Sequence, residues 1–220
     1  MEVMPQLCHP DLRSAGMIAN LWMTLPRIHR GACMYAAIVL AGGEGSRMGG
    51  VLKPLLAVKG EPILARVLRA VGDADRIVVV GPEELREAIP PDALLTREDP
   101  PGGGPVRGLA AGFALCEGAD EIAVVAADLP FLTRPALAAL RQLPGGTAVY
   151  VDDEGRWQSM VSLWRASVLS RALFPVPPRS MKDLFRGTGD VTEARWSGSA
   201  PPPWFDCDTQ EDLALAERLL

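Results

Sequence analysis

An arginine and a lysine, Arg47 and Lys53, stand at fixed spacing in and behind a glycine-rich run, Gly42, Gly43, Gly45, Gly49 and Gly50. That combination suits the binding of a polyphosphate. Glycines can take positive φ and turn backbone N–H groups toward an anion with no Cβ in the way. A guanidinium grips phosphate oxygens bidentately, and an ammonium acts as a mobile point charge. A glycine-rich turn with two solvated cations is the plainer alternative, and the pairing of the loop with both cations favours phosphate over it. Two familiar phosphate loops are excluded by inspection. The G-x-x-x-x-G-K-[ST] loop fails because Lys53 lies between Leu52 and Pro54. The dinucleotide fingerprint G-x-G-x-x-G fails at Met48, and no acidic residue closes a second strand near Val80. The same failure argues against an NAD-dependent oxidoreductase.

Carboxylates are the complementary chemistry, since a polyphosphate is usually handled with a divalent cation held by few carboxylates, phosphate oxygens and water. Asp128 follows the apolar run Glu121 to Ala127 directly, in Asp128-Leu129-Pro130-Phe131. The C-terminal end of a central strand is where ligands gather in open α/β sheets. Asp206 and Asp208 are spaced by two within WFDCDTQEDL. A strand over Trp204 to Cys207 would put both on one face. Asp128 also has a structural reading as a turn or cap residue. Thr209 and Asp212 read as an N-cap and its capping-box partner. The two histidines, His9 and His29, precede the first strand, so no Ser/His/Asp triad is supported.

The elements that must position these groups alternate. Tyr35 to Leu40, Arg76 to Val80 and Glu121 to Ala127 are apolar runs of buried-strand type, with shorter strands expected over Ala93 to Thr96, Gly146 to Val151 and Gln158 to Trp164. Helices are expected over Glu61 to Val71, with Pro62 in its first turn, and over Glu83 to Ala88, Val106 to Cys116 and Leu132 to Leu143. Others fall at Ala166 to Leu173, Ser180 to Phe185 and from Thr209 to the end. The segment Arg97 to Gly108, REDPPGGGPVRG, is too rich in Pro and Gly for a regular element before that third helix. The alternation predicts a doubly wound α/β sheet.

The chain has 220 residues, enough for one domain with a substantial core. A net charge of -5 argues against nucleic acid as a partner. The four cysteines, Cys8, Cys33, Cys116 and Cys207, form no C-x-x-C pair, which fits a reduced, cytoplasmic protein without structural zinc. Cys116 reads as a small core residue. Residues 1–33 lack periodicity and precede a second methionine, Met34, so they read as a disordered or mis-started leader before a single domain over 34–220. No run approaches the roughly 18 apolar residues of a membrane span.

The segment LAGGEGSRMGGVLKPLL, with D-x-P at 128–130 and the closing WFDCDTQEDL, resembles the sugar-nucleotide-transferase-like nucleotidyltransferases, most closely the molybdenum cofactor guanylyltransferases. The resemblance implies a Rossmann-like three-layer α/β/α fold of the nucleotide-diphospho-sugar-transferase type with a mostly parallel central sheet. It implies transfer of GMP from GTP to molybdopterin with release of pyrophosphate. On the residues of this chain it assigns the nucleotide to Leu40, Ala41, Gly42, Gly43, Arg47 and Lys53, with Arg47, Lys53 and Asp128 catalytic. Asp128 also touches the nucleotide and binds Mg²⁺, with Asp208 as second ligand and Asp206 close behind. Gly81 and Asp99 border the base or ribose, although Asp99 before Pro100 is almost equally suited to a plain turn. Arg156, Arg179, Lys182 and Arg186 could meet the acceptor's phosphate, and singly each reads as solvated surface. Trp157 and Trp164 read as core or edge packing.

Two departures are visible: Leu52 stands where the family often has an acidic or polar residue, and Gln210 stands where proline is usual. Gly43, in LAGG rather than LAAG, favours guanine. A cytidylyltransferase for the same cofactor, or a guanylyltransferase acting on a small phosphorylated acid, is the neighbouring alternative, and a non-enzymatic nucleotide sensor the more distant one. Partners implied beyond the substrates are cofactor-biosynthesis proteins or molybdoenzyme chaperones, with no membrane.

Overall fold

Alanine, valine and isoleucine on both faces make Tyr35–Leu40 a strand that must be covered on two sides, and it forms β1, buried along its whole length. The computed structural model describes residues 33–42, 47–48 and 51–220, with 47 and 48 as backbone only. The expected leader at 1–33 lies outside the described residues apart from Cys33, as does Gly43. Six further strands join β1 in one sheet: β2 (Arg76–Val80), β3 (Leu94–Thr96), β4 (Glu121–Ala126), β5 (Thr147–Val151), β6 (Trp157–Arg165) and β7 (Thr192–Arg195). Their order is β7-β5-β6-β4-β1-β2-β3. All neighbours are parallel except where β6 runs antiparallel between β4 and β5.

The period of two along β1 sorts its side chains into two cores. Tyr35, Ala37 and Val39 face a core shared with helices α1 (Ile63–Ala70), α3 (Arg134–Arg141) and α6 (Gln210–Leu219). Ala36, Ile38 and Leu40 face the other core, with α2 (Pro105–Phe113), α4 (Ala166–Leu173) and α5 (Met181–Arg186). The result is the expected three-layer α/β/α arrangement. Cys116 is buried, its thiol donating to the Gly112 carbonyl at 3.4 Å, as its core reading requires. Trp164 is a core residue whose Nε1 donates to Ser162 Oγ, while Trp157 packs against Phe185 and donates to Glu193. Among the described residues no helix is long and apolar enough to cross a membrane.

Three local expectations are refined or corrected, and one strand was not expected. Glu83–Ala88 winds as a 3-10 helix, being short and confined between Pro82 and the extended Ile89 that precedes Pro90. Pro62 is the N-cap of α1 and sits outside its first turn. β7, with sequence TEAR, carries no apolar alternation because it is a half-exposed edge strand paired, among the described residues, only with β5. Conversely, Trp204 to Cys207 is not a strand. Both edges of β4 are already taken by β1 and β6, so this segment crosses the end of the sheet instead. It is tied there by Phe205 N–H to Pro202 O at 3.0 Å and Cys207 N–H to Asp128 O at 3.2 Å.

Helix α2 lies close on the sheet because Gly112 has no side chain. A Cβ there would meet Ile38 Cγ2 at 2.7 Å and Val80 Cγ2 at 2.8 Å, both inside the sheet's buried face. Gly112→Val should therefore push α2 outward and cost about 2 kcal/mol. Urea unfolding measures it, and an unchanged midpoint would show that the helix accommodates the methyls.

Candidate active site

The backbone hydrogen-bond ladder continues just past the strand ends and holds the sheet's C-terminal edge in register. Ala41 N–H donates to Val80 O at 2.7 Å, Ala127 N–H to Leu40 O at 3.0 Å, and Gly81 N–H to Thr96 O at 2.9 Å. Leu40, Ala41, Gly42, Gly81 and Asp128 thus stand side by side where β1, β2 and β4 stop. A Cβ on Gly42 would come within 3.9 Å of the Gly81 backbone, and one on Gly81 would meet Leu85 at 2.8 Å and Ala41 at 3.1 Å. The absence of a side chain at Gly81 is what allows this close approach.

Lys53 is delivered from the far side of the glycine loop. The backbones of Arg47 and Met48 pair antiparallel with Leu52 and Val51 in a two-residue ribbon, which sets Arg47 opposite the neighbour of Lys53. The Arg47 side chain lies outside the described residues. Leu52 and Pro54 are buried on either side of Lys53, and a 3-10 turn over Lys53–Leu55 closes with Leu56 N–H donating to Lys53 O. These contacts anchor the base of the side chain. Its ammonium donates to Asp208 Oδ1 at 2.8 Å, across 155 residues of sequence.

Asp206 and Asp208 arrive without a strand. The Cys207–Asp128 backbone bond fixes the segment, and the buried Cys207 thiol anchors it from below. The capping box at the start of α6 holds the chain immediately beyond Asp208, with Thr209 N–H donating to Asp212 Oδ2 and Asp212 N–H to Thr209 Oγ1. Thr209 and Asp212 are therefore caps, as expected, and Gln210 in place of proline leaves the cap intact. The strand face proposed to align Asp206 with Asp208 does not exist, yet both carboxylates reach the neighbourhood of Asp128.

Electrostatics mark Asp128 as the centre of this cluster. Burial pushes its carboxyl up to about 6, and the nearby Asp206 and Asp208 push in the same direction against a backbone hydrogen bond and Lys53. Asp206 is also raised, first by burial and then by Asp208. The hydrogen bond to Asp208 raises Lys53, which stays an ammonium. Among the described residues no three His, Cys, Asp or Glu side chains close around one point as a ready-made metal cage. An oxygen-only donor set short of a full cage, with one carboxylate hard to ionise alone, fits a hard divalent cation that takes its remaining ligands from phosphate and water.

The segment after β3 carries a residue that the sequence did not single out. Glu98 Oε1 accepts the Gly102 N–H at 3.0 Å, and a Cβ on Gly108 would lie 3.7 Å from Glu98 Oε2 and from Leu40 Cδ2. Glu98 is thus half-buried beside the ends of β1 and β2, whereas Asp99 is exposed. Two adjacent acids are equivalent in sequence, and only the turn of the loop distinguishes them. Of the four cations considered for an acceptor, Arg156 is paired with Asp152 and Glu154, and Arg186 with Asp183. Arg179 and Lys182 have no ion pair with the described residues.

The family model described as the MobA-like NTP transferase domain matches residues 37–190. A molybdenum cofactor guanylyltransferase from Rhodobacter capsulatus is 31% identical over 192 residues, covering 84% of this chain and 96% of that protein. Among solved structures, the molybdopterin-guanine dinucleotide biosynthesis protein A of Archaeoglobus fulgidus superposes with a TM-score of 0.61 at 20% identity, covering 84% of this chain and 97% of the other. The 2-C-methyl-D-erythritol 4-phosphate cytidylyltransferase of Thermus thermophilus superposes almost equally, with a TM-score of 0.60 at 19% identity over 84% of this chain and 98% of the other. At these identities the two structures speak to the fold alone. The matched domain spans the glycine loop, Lys53 and Asp128, and the chain belongs to the MobA-like NTP transferase domain family.

Proposed function

We propose that this protein transfers GMP from GTP to molybdopterin, releasing pyrophosphate and forming the molybdopterin guanine dinucleotide. The observation that carries this reading is the meeting of Lys53, Asp128, Asp206 and Asp208 at the ends of β1 and β4, within a chain that aligns along most of its length with a guanylyltransferase. A phosphate oxygen of the acceptor attacks the α-phosphorus, and the bond to the β-phosphate oxygen breaks. An acceptor phosphate is already ionised near neutral pH, so no general base is assigned. The work of the protein is to position the two phosphates in line and to offset charge as it moves onto the pyrophosphate. Leu40, Ala41, Gly42 and Gly43 supply backbone to the triphosphate, and Arg47 and Lys53 supply positive charge.

Asp128, with Asp208 as second ligand, would hold Mg²⁺, which when bound neutralises phosphate oxygens and polarises the reacting phosphorus. Gly81 leaves room for the base. The Oε2 of Glu98, beside Gly108 near the ends of β1 and β2, offers an acceptor that suits the N–H-bearing edge of guanine. Asp99, exposed on the same loop, is left for the ribose. Soluble cofactor-biosynthesis partners in the cytoplasm would receive the product.

Pyrophosphate release tests the reading directly. It should appear with GTP, Mg²⁺ and molybdopterin together, and stay at background with CTP or ATP. Release with CTP alone would overturn the guanylyl assignment. GTP binding with no release under any acceptor condition would favour a nucleotide sensor.

A further inference from the structure

Lys53 is assigned to the triphosphate, yet in this structure its ammonium is engaged by a carboxylate. The pair is closely made: Nζ to Oδ1 is 2.8 Å, and Lys53 is only 15% exposed while Asp208 is 62% exposed. Both ends are pinned, Lys53 by the burial of Leu52 and Pro54, and Asp208 between the Cys207–Asp128 backbone bond and the capping box of α6. Asp128 and Asp206 lie close enough to act on Lys53 through space, but neither hydrogen-bonds to it. Asp208 therefore competes with incoming phosphate for one ammonium, and its own negative charge also repels that phosphate.

We infer that Asp208 is a positioning residue that couples nucleotide entry to the divalent cation. With no metal, it holds Lys53 in place and keeps bare triphosphate out. When the triphosphate enters with its cation, the Asp208 carboxylate turns to the cation and Lys53 is released to the phosphate. The exposure of Asp208 leaves the carboxylate free to make that exchange, because most of its side chain is open to solvent. This inference rests on the nucleotidyl-transfer reading above and adds an order of events to it: a lysine that is unavailable until the metal arrives.

The exchange is read by nucleotide affinity with and without metal. Titrations with GTP and with CTP, each in excess EDTA or in excess Mg²⁺, would be run on the wild-type protein, Asp208→Asn and Asp206→Asn. Asp206→Asn removes the same charge from the same cluster without touching the Lys53 hydrogen bond. Asp208→Asn should raise the metal-free affinity about fivefold and shrink the gain produced by Mg²⁺. Asp206→Asn should change the metal-free affinity by less than about twofold. An equal gain in both variants, or none in Asp208→Asn, would overturn the exchange, since the first reports charge alone and the second reports no competition. The guanine reading fails separately, if CTP and not GTP is the nucleotide that binds with Mg²⁺; the variant comparison is then read with CTP.

Discussion

Asp128→Asn should lower turnover about a thousandfold while making the metal-free protein more stable at neutral pH. The two effects have one origin. Burial at the end of β4 and the charges of Asp206 and Asp208 raise the Asp128 carboxyl from 3.8 to about 6. The folded state therefore binds more protons than the unfolded state between those values. Stability falls as pH rises through that window, and the full penalty is present above it. At about 1.4 kcal/mol per pH unit the penalty approaches 3 kcal/mol, which partial exposure to solvent reduces to about 2.

Asparagine keeps the shape and removes the charge. Its thermal midpoint should exceed that of the wild type by about 4–6 °C at pH 7.5, and the difference should vanish near pH 4. Saturating metal should narrow the gap by stabilising only the wild type. Calorimetry at the two pH values, with EDTA, checks the stability arm, and steady-state pyrophosphate release checks the catalytic arm. A variant that keeps activity would remove Asp128 from the site. One that loses activity and stability together would recast Asp128 as a structural residue.

Lys53→Ala should reduce kcat/KM for the nucleotide by about 10²–10³ and barely alter stability. The loss is catalytic because the ammonium is placed where phosphate charge grows, and alanine leaves that charge to water. The stability change should be within about 1 kcal/mol, since the Lys53–Asp208 pair has a largely exposed carboxylate and is open to screening. Lys53→Arg should recover only part of the rate, because a planar guanidinium on a longer stem cannot occupy the site of a compact ammonium between Leu52 and Pro54. Kinetics with the fold checked by circular dichroism decide the matter. A Lys53→Ala enzyme within tenfold of wild type would show that Arg47 and the loop backbone suffice.

Strong apolar runs were legible wherever a strand is buried on both faces. β1, β2 and β4 could be read within a residue because water is excluded from both sides and every position past the first residue of β2 and of β4 is apolar. β7 was illegible for the opposite reason: at a half-exposed edge, pairing is made by backbone alone, and TEAR carries no pattern that records it. The segment at 204–207 misled because its aromatic and acidic alternation arises from packing of Phe205 on Phe131 and anchoring of Cys207, without any ladder.

The sequence by itself determined the chemistry on offer: a glycine loop with Arg47 and Lys53 for phosphate, and Asp128 at the end of a buried strand. Those are local facts, set by residue type and by spacing within a few turns of chain. Which acid meets which cation was decided only by the tertiary structure. Asp208 reaches Lys53 across 155 residues because the crowded edges of β4 force the last segment across the sheet's end, and Glu98 rather than Asp99 turns inward because Gly102 offers its N–H there. Such pairings depend on where distant segments cross, which no single stretch of chain encodes.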